Sequence, residues 1–107
     1  MDEFIIHPYL LGNALHGLMW RHFVVEEAPV RPGKHFLLKN DDVKASVEVR
    51  ASDVGFKAYA DLTDSDAITM GLPNVQALKT MLGSVEDEDE AIVTAIDFEL
   101  LAEVEIV

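Results

Sequence analysis

Twenty acidic residues against eight basic ones give this 107-residue chain a net charge of −12. That balance disfavours direct binding to DNA, RNA or an anionic membrane, because those contacts are made by Lys and Arg. The length suits a single domain, its 50% hydrophobic content rules against a disordered chain, and the absence of cysteine excludes disulfides and thiolate metal sites.

No apolar run is long enough to cross a membrane, and the opening MDEFIIHPYLLG is acidic where a secretory signal would be basic. A cytoplasmic, reducing setting is expected. Glu3 to His7 reads as a short strand. Pro8 then opens a helical pattern, with Leu11, Ala14, Leu15, Leu18, Met19 and His22 on one face, so a helix is expected over about residues 9–22. Gly12 and Gly17 weaken it by roughly 1 kcal/mol each.

Phe23 to Val30 is extended, Arg31-Pro32-Gly33 is a turn, and Lys34 to Lys39 is a strand. After a turn at Asn40-Asp41-Asp42, Ala45, Val47, Val49 and Ala51 alternate with polar residues. Ser52-Asp53 is expected to turn the chain into a second alternating run, Val54, Phe56, Ala58, Ala60 and Leu62. These segments read as an antiparallel meander. Thr63-Asp64-Ser65 has the chemistry of a helix cap, and Asp66 to Met70 one short turn. A helix restarts at Pro73-Asn74, with Val75, Leu78, Met81 and Leu82 as its apolar stripe and Gly83 as its C-terminal cap.

The last segment is the most regular. Ile92, Thr94, Ile96, Phe98, Leu100, Ala102, Val104 and Ile106 occupy the even positions. One long strand is expected, broken by a bulge near Leu101. The elements together describe one α+β domain over residues 1–107. It has a mainly antiparallel sheet of four to five strands and two helices, compatible with a ferredoxin-like order.

Charge is concentrated in the acidic C-terminal quarter, residues 84–107. Residues 1–79 hold eleven acids and eight bases, a net −3, while residues 80–107 hold nine acids and no base. Glu86, Asp87, Glu88, Asp89 and Glu90 are consecutive. On a strand, Asp97, Glu99, Glu103 and Glu105 would follow as a row of carboxylates, alternate side chains lying about 6.7 Å apart. That repeat is of the order of successive phosphates on a nucleic-acid strand. A protein that binds nucleic acid through Lys and Arg could accept such a row in its place. The plainer role for the same acids is a solvated face that keeps the protein soluble. Trp20, near Gly12 and Gly17, is either part of the core or an exposed anchor for a partner or a homodimer.

Other chemistry is less well supported. Asp61, Asp64 and Asp66 do not follow a Ca²⁺ loop, the four histidines form no HExxH motif, and no nucleophile, phosphate-loop or dinucleotide motif is present. No cofactor, metal or catalytic activity is expected. The expectation is a protein-binding inhibitor that blocks a basic, nucleic-acid-binding partner. By size, charge and acidic patch it compares with small acidic phage proteins that block host defence, some anti-CRISPR proteins among them. An immunity protein of a toxin nuclease and a structural or assembly subunit are the alternatives.

Overall fold

The computed structural model describes the backbone of residues 2–25 and 30–105 and the side chains of residues 2–25 and 30–101. Five strands and three α-helices follow in the order β1 (Asp2–Ile5), α1 (Pro8–Leu15), β2 (Arg21–Val25), β3 (His35–Asn40), β4 (Ala45–Ala58), α2 (Asp64–Ile68), α3 (Val75–Leu82) and β5 (Ile92–Glu105). The fold is α+β and mostly sheet. The strand order is β1-β3-β4-β5-β2. The sheet is mixed, because β1 runs parallel to β3 while the other three pairings are antiparallel. This is not a ferredoxin-like order: β2 leaves α1 for the far edge of the sheet.

The first helix is shorter than its apolar pattern. His16 caps α1, Gly17 takes φ 74°, and the N–H groups of Leu18 and Met19 both donate to Asn13 O, at 2.8 and 3.2 Å. A left-handed residue after the cap, with later N–H groups folding back onto a last-turn carbonyl, is a common way to end a helix. Trp20 and His22 therefore leave the helix, and His22 belongs to β2. The extended reading of Phe23 to Val30 holds as far as Val25; residues 26–29 lie outside the described residues.

No turn interrupts β4 at Ser52-Asp53. The register passes from Ala51↔Phe98 to Asp53↔Asp97, so Ser52 is an extra residue in a continuous strand. A Ser-Asp pair suits a turn, but here it makes a bulge. Beyond Ala58 a single 3-10 turn, Tyr59–Asp61, replaces the expected end of a strand. Phe56 is exposed and Tyr59 buried, the reverse of the alternation that was expected. The bulge on β5 falls where the sequence places it: Glu48 pairs with Ala102 and Val49 with Leu100, which leaves Leu101 unpaired.

Local signals at the two later helices hold well. Thr63 and Asp66 form a reciprocal capping box on α2. Asn74 Oδ1 accepts from Ala77 N at 2.9 Å to start α3, and Gly83, at φ 85°, ends it.

The core gathers Phe36, Leu38, Val47, Val49, Leu78, Val93 and Ile96, all at 0% exposure. An aromatic chain links its strands. The Phe36 ring lies 5.5 Å from Phe4 and 6.2 Å from Phe98. The sheet curls enough for its two edge strands to meet through side chains, Phe4 of β1 lying 5.0 Å from the His22 ring of β2. Among the described residues, no helix is long and apolar enough to cross a membrane.

Candidate functional site

The five consecutive acids sit between α3 and β5. Asp87 shapes their turn: its Oδ1 accepts from Asp89 N at 3.0 Å, and its carbonyl accepts from Glu90 N and Ala91 N at 3.2 and 2.9 Å. This local bonding turns the chain and leaves Glu86, Asp87, Glu88, Asp89 and Glu90 all exposed. None of the five makes an ion pair among the described residues. Beside them lies an open groove of about 640 Å³. Val25, Val85, Ala91 and Ile92 give it apolar walls, and Glu86, Asp87 and Glu90 also line it. The arrangement suits a long cationic side chain, which can lay its aliphatic stem on apolar surface and its charge against carboxylate.

The carboxylate row expected on β5 is not continuous. Asp97 is held by Arg21, whose Nε and Nη2 both donate to it, the second at 3.1 Å. The Asp97 hydrogen bond holds the Arg21 guanidinium above its ordinary pKa, against the opposing effect of burial. Glu99 is paired across the strands with Arg50, at 2.5 Å. Beyond them the extra residue Leu101 shifts the alternation by one. Asp97 and Glu99 are register partners of Asp53 and Arg50, whereas Glu103 and Glu105 are partners of Val47 and Ala45. The side chains of Glu103 and Glu105 lie outside the described residues. Thus cross-strand arginines offset the first two acids of the row, and the bulge separates them from the last two. The free charge nearest the apolar groove is that of residues 86–90.

Sequence reasoning missed a second charged group, assembled from four elements. Lys57 of β4 donates to Asp66 of α2 at 2.6 Å, and Arg21 of β2, already bound to Asp97 of β5, approaches Asp66 at 3.8 Å. Asp66 is buried. Burial alone would raise its pKa, but the bonds from Lys57 and Thr63 bring it below the ordinary carboxylate value. A small cavity of about 190 Å³ adjoins the group, with Asp53, Gly55 and Ala95 also lining it. All four charges are paired with one another, so the cluster works as a clamp holding α2 on the sheet. In the sequence Asp66 reads only as the start of a short turn, which gives no hint of Lys57 or Arg21.

Trp20 is 46% exposed. Its backbone is well fixed: its N–H donates to Thr69 O and its carbonyl accepts from Phe98 N, both at 3.0 Å. Leu18 and Ile68 are also exposed, and they flank those backbone contacts in the chain. His22 is buried, and its Nδ1 has no hydrogen-bond partner among the described residues. Burial lowers its pKa from 6.5 to about 4. Among the described residues, no group of three or more His, Asp or Glu is placed to hold a metal ion. No protein-family model, curated protein or solved structure matches this chain.

Proposed function

We propose that this protein is a small acidic inhibitor that captures a basic, nucleic-acid-binding protein. Residues 86–90 enter the partner's Lys/Arg groove in place of nucleic acid, and a phage anti-defence role of the anti-CRISPR kind fits that chemistry. The reading is carried by one observation: five exposed carboxylates without cationic partners among the described residues, held on a hydrogen-bonded turn beside a groove with apolar walls. A concentrated negative field steers a cationic partner and speeds encounter, while apolar contact lengthens the life of the complex. Asp97 and Glu99 contribute less, because Arg21 and Arg50 already offset them.

A second reading, assembly through an apolar surface, is favoured by the exposure of Leu18, Trp20 and Ile68. An exposed Trp is a frequent interface anchor.

Capture from a bacterial lysate at low salt, with salt-gradient elution and mass spectrometry, separates the two. The comparison variant carries Glu86→Gln, Asp87→Asn, Glu88→Gln, Asp89→Asn and Glu90→Gln; Asn at position 87 keeps an acceptor for the turn. The wild type is expected to retain a nucleic-acid-binding protein that elutes steeply with salt. The purified partner should then lose its nucleic acid when the wild type is added, and the variant should do neither. Equal capture by the variant overturns the acidic reading. Capture that survives high salt and is lost in Trp20→Ala supports the apolar one.

A further inference from the structure

β5 extends beyond the strand that covers its outer side. Among the described residues β2 pairs with it only from Val93 to Asp97, and the Phe98 N–H bond to Trp20 O ends that contact. From Glu99 to Glu105, β5 is paired only with β4 among the described residues. Backbone groups alternate sides along a strand, so Leu100, two residues after Phe98, presents its N–H and C=O to the open side. An uncovered edge of this kind is a template for another strand. Leu100 and Leu101 are 47% and 43% exposed beside it.

Charge selects the occupant. Glu103 and Glu105 stand two residues apart on this edge beyond the bulge, Glu99 before it is already paired with Arg50, and no Lys or Arg follows Lys79 in the sequence. A second copy of the chain would bring the same acids against them, and like charges opposed across strands destabilise pairing. The bulge at Leu101 further discourages self-pairing by twisting the edge. An extended segment with Lys or Arg at alternate positions meets both demands, supplying backbone partners and opposite charge. Strand addition of this type takes affinity from main-chain hydrogen bonds and specificity from alternate side chains.

We infer that the open edge of β5, from Glu99 to Glu105, docks an extended basic segment of the partner protein as a sixth strand of the sheet. The inference rests on the reading that the partner is basic, and it adds where and how that partner is gripped.

The test uses the full chain and three probe peptides: alternating Lys and Val, the same peptide N-methylated at every amide, and alternating Glu and Val. Methylation removes the backbone donors and keeps the charge. Binding of the Lys peptide is expected to weaken at least about tenfold on methylation, since several backbone hydrogen bonds are lost. Hydrogen exchange at the Leu100 amide should slow only with the unmethylated Lys peptide. Equal binding of the methylated peptide, with Leu100 exchange unchanged, overturns the strand and leaves electrostatic capture standing. Failure of both Lys peptides to bind at low salt overturns the basic partner as well. Equal binding of the Glu peptide overturns the charge argument. A concentration-dependent dimer that protects Leu100 makes a second copy the occupant.

Discussion

His22 gives the protein a pH dependence that can be calculated from its surroundings. The ring lies against Phe4, and burial holds its pKa near 4 where an exposed histidine titrates at 6.5. The folded state therefore takes up a proton less readily than the unfolded chain. Stability is full above pH 6.5, falls progressively as the pH drops towards 4, and stops falling on this account below that. The gap between 6.5 and about 4 corresponds to about 3 kcal/mol, a large part of the stability of a domain this size. The perturbation is His22→Phe, which keeps an aromatic ring beside Phe4 and removes the titration. Urea unfolding of both proteins at intervals from pH 7.5 to 4 supplies the comparison. The packing change shifts the variant's stability by a constant amount. Easing of repulsion among the acids affects both proteins alike. The difference between the two curves should therefore change by about 3 kcal/mol across the window, with the wild type losing ground as the pH falls. Parallel curves would refute the reasoning and show that His22 charges without penalty in the fold.

Lys57→Met leaves buried Asp66 with a much weaker cationic neighbour, Arg21 at 3.8 Å. It should cost about 3 kcal/mol at pH 7 in chemical denaturation, and the cost should shrink in acid, once the carboxyl is protonated and no longer needs a cation. Gly71→Ala should lower the melting temperature markedly. Gly71 has φ +74°, and an added Cβ would stand 2.6 Å from Asn13 Nδ2, disturbing the Asn13 bond to Met70 O at 3.0 Å. An unchanged melting temperature would mean that this contact yields freely. Trp20, 46% exposed, should emit at long wavelength and be readily quenched by acrylamide; a blue-shifted, protected signal would place it in the core.

Features decided within a few residues were legible in the chain. The cap at Thr63, the Asn74 start and Gly83 end of α3, and the bulge at Leu101 all follow from short-range hydrogen bonding, backbone sterics or a break in alternation. The clustering of nine acids without a base in residues 80–107 is likewise a property of the sequence alone.

Tertiary structure decided the rest. α1 stops at Leu15 although its apolar pattern continues, because Gly17 adopts a left-handed conformation and the following residues are drawn into β2 and its pairing with β5. Ser52-Asp53 could turn the chain or bulge it, and β5 lying alongside favoured the bulge. Which carboxylates stay free also depended on distant residues: Arg21 reaches Asp97 across 76 positions and Arg50 reaches Glu99 across 49. Charge composition is additive along a chain, but its neutralisation is pairwise and is set by strand register, and register belongs to the folded sheet.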